Sequence, residues 1–188
     1  MLLKQITLHN IRSYIHETIS LPPGTTLLSG DIGSGKSTIL LAVEFALFGT
    51  SRPDLPAEFL LRNGTNHGSV ELTLELDTIP IIIQRSLKRD KTSIKQLPGY
   101  IIINNLKKEL MPIELKAEVL TLLGYPEEYL TKNKNYIFRY TVYTPQEEMK
   151  LILQEDSDLR LDVLRKIFNV DKYKTVRENL LIYLKQMR

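Results

Sequence analysis

The residues Gly30-Asp31-Ile32-Gly33-Ser34-Gly35-Lys36-Ser37 fit the phosphate-binding pattern G-x-x-x-x-G-K-[ST] at every fixed position. The residue types explain what the pattern can do. Gly30, Gly33 and Gly35 let the backbone curl until several N–H groups face one anion. A helix starting at this point adds the partial positive charge of its N-terminus. Lys36 brings a point charge to the β- and γ-phosphates, and the Ser37 hydroxyl can ligate Mg²⁺. Such a loop needs a strand before it and a helix after it. Thr25–Ser29, β-branched and apolar, reads as a buried strand. Ile39–Phe48 reads as a helix packed on most sides, with Gly49 as its stop.

A second chemical candidate stands at Thr144-Pro145-Gln146-Glu147. Thr144 suits an N-cap, Pro145 a first helical residue, and Glu147 closes a capping box. Gln146 is therefore expected near the top of a strand, where α/β sheets place their nucleotide sites. Its amide carbonyl either reaches Mg²⁺ or the attacking water, or belongs to a solvated helix start. Glu147 and Glu148 in a first helical turn are read as serving the helix dipole.

What the sequence lacks is equally informative. A complete phosphate-loop ATPase needs an acid at the end of a hydrophobic strand to hold Mg²⁺ and polarise water. The hydrophobic runs end instead in amides or bases, at Ile101-Ile102-Ile103-Asn104-Asn105 and Ile81-Ile82-Ile83-Gln84-Arg85. The guanine-binding pattern Asn-Lys-x-Asp fails at Tyr136, after Asn133-Lys134-Asn135. The residues thus describe a nucleotide half-site without its own hydrolytic acid.

The chain has 188 residues, enough for one core or one domain with an appendage. The absence of cysteine excludes disulfides, thiolate zinc sites and cysteine nucleophiles. A net charge of +3 permits an acidic partner without demanding one. No secretory signal and no bilayer-spanning run is read, so a cytoplasmic location is expected. His9, His16 and His67 have no metal-ligand spacing and are read as structural or surface residues.

Along the chain, Met1–Asn10 and Ile15–Leu21 alternate as antiparallel strands preceding the phosphate loop. Ala57–Leu61 reads as a short helical turn. Ser69–Asp77 and Ile79–Leu87 read as a meander turning at Asp77-Thr78, and Tyr100–Asn104 as a further strand. Lys88–Lys95 reads as a basic loop. Pro112–Leu123 has helical periodicity and ends at Gly124, and Tyr136–Tyr143 reads as a strand. From Gln146 onward almost everything reads as helix, with breaks near Asp156-Ser157 and Asn169–Asp171. The last helix carries Val176, Leu180, Leu181 and Leu184 and has no cap, as if a longer native chain continued it as a coiled coil.

Four stretches together resemble the N-terminal ATPase segment of the SbcC family, the repair ATPases also called Rad-fifty, in the SMC branch of the ABC ATPases. They are Asn10–Tyr14, Gly30–Thr38, Val142–Gln146, and Arg160–Phe168 with Asp171-Lys172-Tyr173. The resemblance spans essentially the whole chain. It implies an α/β fold, the P-loop ABC-type ATPase N-terminal lobe, with a mixed sheet over residues 1–155 and helices leading into a coiled coil over 156–188. It implies ATP and Mg²⁺ as cofactors. Arg12 and Ser13 would contact the phosphates, and the backbone of Ile32, Gly33, Ser34, Gly35, Lys36, Ser37 and Thr38 would cradle them. Leu61, Arg62 and Asn63 would lie near the base or ribose, and Gln146 would join Ser37 on Mg²⁺. Many relatives have asparagine at the position of Ile32, so only the N–H would serve there. The implied partners are the C-terminal ATPase segment of the same protein, a second head in a homodimer, an SbcD-type nuclease docking near the helices from Asp158 onward, and DNA. No membrane partner is implied.

Two other readings stay open at this stage: a self-contained P-loop nucleotide kinase or NTPase, and a structural DNA clamp of the SMC, RecF or RecN type. Lys88, Arg89, Lys91 and Lys95, and separately Lys172, Lys174 and Arg177, read either as DNA contacts or as solvated faces.

Overall fold

The computed structural model describes residues 1–50, 57–91, 93–124, 156–158, 160–161, 165 and 170–187. The chain divides into two compact units, Met1–Lys134 and Asn135–Arg188. The boundary drawn from the sequence after residue 155 falls inside the second of these.

The first unit is built on a seven-stranded sheet. Its strands are β1 (Leu2–Ile11), β2 (Tyr14–Ser20), β3 (His67–Leu76), β4 (Ile79–Arg89), β5 (Ile94–Gln96), β6 (Gly99–Ile103) and β7 (Leu106–Leu110). They run in the order β2-β1-β3-β4-β6-β7, with β5 pairing β4, and every pairing is antiparallel. Period-two alternation sends Ile6, Leu8, Val70, Leu72, Leu74, Ile81 and Ile83 into the core. Helices α1 (Lys36–Phe48) and α2 (Pro112–Leu122) pack on the sheet. They contribute Phe45, Leu47, Leu115 and Val119, all fully or nearly fully buried. The mixed α/β character expected of the N-terminal lobe is present.

Most sequence expectations for the first unit hold within two or three residues. The hairpin at Asp77-Thr78 turns with both residues at positive φ, 48° and 69°, as a two-residue turn matching strand twist requires. Gly49 closes α1, its N–H donating to the Phe45 carbonyl at 2.8 Å.

Three expectations need correction. Thr25–Ser29 is not a buried strand: it forms no ladder among the described residues and Leu27 is 86% exposed. Its composition reports an aptitude for burial, but a strand exists only where a neighbour accepts its N–H groups. Lys88–Lys95 is not a free loop. Lys88 and Arg89 close β4 and pair with Lys95 and Ile94 of β5, so the turn is confined to Asp90–Ser93. The strand β7 has no counterpart in the sequence reading. It pairs with β6 through Asn104-Asn105, both left-handed at φ 49° and 63°, another tight hairpin turn. Tyr136–Tyr143, the Thr144–Glu147 junction with Gln146, and the loop 51–56 lie outside the described residues.

In the second unit, α3 (Asp171–Gln186) follows a break at Val170, as the sequence suggested. Tyr173, Val176, Leu180 and Tyr183 are each more than half exposed at alternating spacings of three and four. Among the described residues no helix is long and apolar enough to cross a membrane.

One buried cation ties α1 to the sheet. Arg85, in the middle of β4, is completely buried. Its Nε donates to the Ala46 carbonyl at 2.8 Å and its Nη2 to the Leu47 carbonyl at 3.1 Å. Its Nη1 donates to the Pro112 carbonyl, at the start of α2, at 3.3 Å. The last carbonyls of a helix have no intrahelical donor, and α1 has no basic residue in its own last turn. Arg85 fills that role from the sheet. Burial lowers its pKa to about 9, which leaves it cationic at neutral pH. Replacing it by the apolar Arg85→Met should cost about 2–4 kcal/mol, because buried carbonyls then lack donors. Urea unfolding checks this, and an unchanged or raised midpoint would mean that relief of guanidinium desolvation dominates.

Candidate nucleotide site

The phosphate loop adopts the curl its glycines permit, with φ of 149°, 83° and 98° at Gly30, Gly33 and Gly35. The Ser34 N–H donates to the Asp31 carbonyl at 3.2 Å, and the Thr38 N–H to the Gly35 carbonyl at 2.9 Å. The N–H groups of Gly33 and Gly35 donate to no backbone carbonyl outside regular elements among the described residues. Helix α1 begins without a side-chain cap and without an acid in its first turn. Its orphan N–H groups and positive dipole end are therefore left for an outside anion. Lys36 Nζ donates to the carbonyls of Gly30 and Asp31, both at 2.7 Å, and to Ser34 Oγ at 3.3 Å. Ser37 is exposed and Thr38 is buried, so only the first has a hydroxyl accessible to a solvated metal. The Ile32 side chain is fully exposed. These features fit a phosphate chain with Mg²⁺. Lys36 and the loop N–H groups would hold the phosphates, and Ser37 would offer the metal a ligand.

The second element of the site is the turn between β1 and β2, which includes Arg12 and Ser13. It packs directly on the loop. A Cβ at Gly35 would sit 2.9 Å from Ser13 Oγ and 3.0 Å from the Tyr14 ring and hydroxyl. The Tyr14 hydroxyl donates to the Gly35 carbonyl at 3.3 Å. Burial, with help from Glu17, raises the Tyr14 pKa, so the phenol stays protonated and able to donate.

The third element is the segment from the 3₁₀ turn Ala57–Phe59 to Asn63. Arg12, Glu58, Phe59, Leu61, Arg62 and Asn63 line an open cleft of about 650 Å³. Leu61 is 2% exposed and bridges Ile11, so it borders the cleft while its side chain belongs to the core. Arg62 is half-buried and Asn63 exposed. The Arg12–Ser13 turn therefore meets the loop at Gly35 on one side and the Phe59–Arg62 segment, about fifty residues away in sequence, on the other. Gln146 lies outside the described residues.

Sequence reasoning missed Tyr14 as a partner of Gly35, and Phe59 and Glu58 as cleft walls. Phe59, in the stretch read only as a short helical turn, is 60% exposed. Of the basic residues read as candidate DNA contacts, Arg89 is engaged internally. Its Nε donates to the Thr65 carbonyl at 3.1 Å and its Nη2 to the Arg62 carbonyl at 3.5 Å. Lys95 pairs with Asp90 at 3.1 Å on the open surface.

A family model described as an AAA domain, AAA_23, matches residues 5–187, and the chain belongs to that family. Within it the chain is an N-terminal ATPase segment of the SbcC/Rad50 kind, as the sequence motifs suggested. It is 28% identical over 185 residues to the DNA double-strand break repair Rad50 ATPase of Methanococcus maripaludis, covering 98% of this chain and 17% of that protein. It is 26% identical over 195 residues to a subunit of the nuclease SbcCD of Staphylococcus epidermidis, covering 96% of this chain and 19% of that protein. The chain thus spans less than a fifth of the length of these relatives. Its fold matches a solved structure described as "Structural biochemistry of ATP-driven dimerization and DNA stimulated activation of SMC ATPases". The TM-score is 0.61 at 18% identity, over 89% of this chain and 99% of that one.

The close packing on Gly35 makes it the most sensitive position of the loop. Gly35→Ala would force a left-handed alanine against Ser13 and Tyr14. We expect ATP affinity to fall about tenfold or more and stability by about 1–3 kcal/mol. Calorimetric titration and thermal unfolding measure the two separately.

Proposed function

We propose that the chain is the ATP-binding half of a DNA double-strand-break repair ATPase head. The observation that carries this reading is the turn Arg12–Tyr14 seated on Gly35, which joins a family-specific element to a general phosphate loop. The β- and γ-phosphates lie in the curl from Ile32 to Thr38, with Lys36 exchanging its carbonyl partners for phosphate oxygens. Arg12 and Ser13 reach the phosphates from the turn. Leu61, Arg62 and Asn63 border the space for ribose and base. Ser37 and Gln146 would hold Mg²⁺, or Gln146 would orient the attacking water. The metal would supply charge neutralisation at the phosphates.

The hydrolytic carboxylate and the opposing face of the sandwich come from a C-terminal ATPase segment of the same protein and from a second head. ATP therefore drives dimerisation. Residues 156–188 lead into a coiled coil, on which an SbcD-type nuclease docks. Engagement of the heads regulates that nuclease on DNA, in the cytoplasm. The exposed apolar stripe of α3 and the largely exposed stretch Thr25–Ser29, which joins no ladder among the described residues, support a chain that completes its packing with further polypeptide. Similarity to the double-strand break repair Rad50 ATPase supports the repair role.

Turnover tests the reading against a self-contained kinase or NTPase. This chain should bind Mg-ATP weakly and hydrolyse it negligibly. Adding the C-terminal segment should raise turnover on the order of a hundredfold or more, because a missing electrostatic group typically costs that much. Robust hydrolysis by the chain alone would overturn the half-site.

A further inference from the structure

The turn that carries Arg12 and Ser13 is held in an unusual way. Asn10 and Arg12 both have positive φ, 51° and 48°, a conformation that non-glycine residues adopt rarely and at a cost. Such a turn persists only where its surroundings over-determine it. Asn10 Nδ2 donates to the His67 carbonyl at 3.0 Å, and the remaining hold comes from the Phe59–Arg62 segment. The Arg12 N–H donates to the Leu60 carbonyl at 2.9 Å, and the Arg62 N–H to the Asn10 carbonyl at 3.0 Å. The side chains then cross in opposite directions. Arg12 Nε donates to the Phe59 carbonyl at 2.7 Å. Arg62 Nη1 donates to the carbonyls of both Arg12 and Ser13, each at 2.9 Å. Each arginine thus satisfies the other segment's backbone.

We infer that Arg62 is a positioning residue for the phosphate end of the site, acting through the Arg12–Ser13 turn and not by touching base or ribose. The inference rests on the nucleotide-site reading above and refines it. The reason is geometric. One Arg62 nitrogen already bridges two carbonyls of the turn: that of Arg12, whose side chain reaches Phe59, and that of Ser13, whose Oγ lies against Gly35. A guanidinium placed there fixes both peptide planes together, and with them the direction of Ser13 Oγ against Gly35. Charge-assisted bonds of this kind are the strong class. Losing the bridge frees a strained turn, which then relaxes away from the loop. The cleft beside Arg62 stays open but its phosphate wall loosens.

The test uses the full chain with Arg62→Met and Arg62→Lys, and two probes, Mg-ATP and Mg-tripolyphosphate. Tripolyphosphate has no base and no ribose. Arg62→Met should weaken both probes by about tenfold, and Arg62→Lys, whose ammonium can still bridge two carbonyls, should recover most of the loss. In the nucleotide-free protein, amide exchange over residues 10–14 should accelerate in Arg62→Met and return toward wild type in Arg62→Lys. Weakening of ATP alone would mean direct contact with base or ribose and would overturn the inference. Unchanged affinity for both probes despite a lower Tm would reduce Arg62 to a structural residue and also overturn it, as would unchanged exchange over 10–14. Should the methionine variant fail to fold, the lysine variant decides: near-wild-type exchange and affinity support the bridge, and loss of both refutes it. Failure of wild type to bind either probe would instead sink the nucleotide-site reading itself.

Discussion

Main-chain carbonyls that leave a regular ladder need donors, and in this chain cationic side chains supply them. Arg62 serves the turn beside the phosphate loop, Arg12 serves Phe59, Arg89 serves Thr65, and Arg85 serves the end of α1. Lys36 does the same within the loop itself. The site occupies the irregular backbone at one edge of a regular antiparallel sheet. A sheet fixes strands but cannot fix the turns and helix ends around it. The guanidinium, with five N–H donors, does so at several points.

This constraint connects the site to the core. Helix α1 begins at Lys36 and ends among carbonyls gripped by Arg85 from β4, so the helix that follows the phosphate-loop motif is anchored at its far end to the middle of the sheet. At its near end the loop is fixed by close approach of Ser13 and Tyr14 to Gly35, which only a residue without Cβ allows. The energy for this geometry comes from burial of the alternating apolar rows of β1, β3 and β4. The tight contacts specify where that energy holds the loop.

Much of this was legible in the sequence, for reasons that can be stated. Alternation in β3 and β4 and the turn at Asp77-Thr78 follow from local chemistry, so both strands and their pairing could be read directly. The loop motif carries its own backbone requirement in its glycines, and the relatives bear out the family that the combined motifs suggested. Three things were not legible. Thr25–Ser29 has strand composition but no ladder, because pairing depends on a neighbour that local composition cannot reveal. The Lys88–Lys95 stretch looked like a solvated loop, because charged residues at an edge hairpin mask its pairing. Arg62 was placed near the base or ribose by the family resemblance, and its own partners are not written in local sequence. That it bridges two carbonyls nearly fifty residues upstream is a fact of tertiary geometry.

The proposed site grips a nucleotide through its phosphates. Equilibrium titration of the chain with ATP, ADP and adenosine, in wild type and in Lys36→Ala, measures that grip most directly. Binding should require the phosphate chain, with adenosine at least about tenfold weaker than ATP and Lys36→Ala losing at least about tenfold for ATP. Adenosine binding as tightly as ATP, or a Lys36→Ala chain that binds ATP like wild type, would contradict a phosphate-centred site.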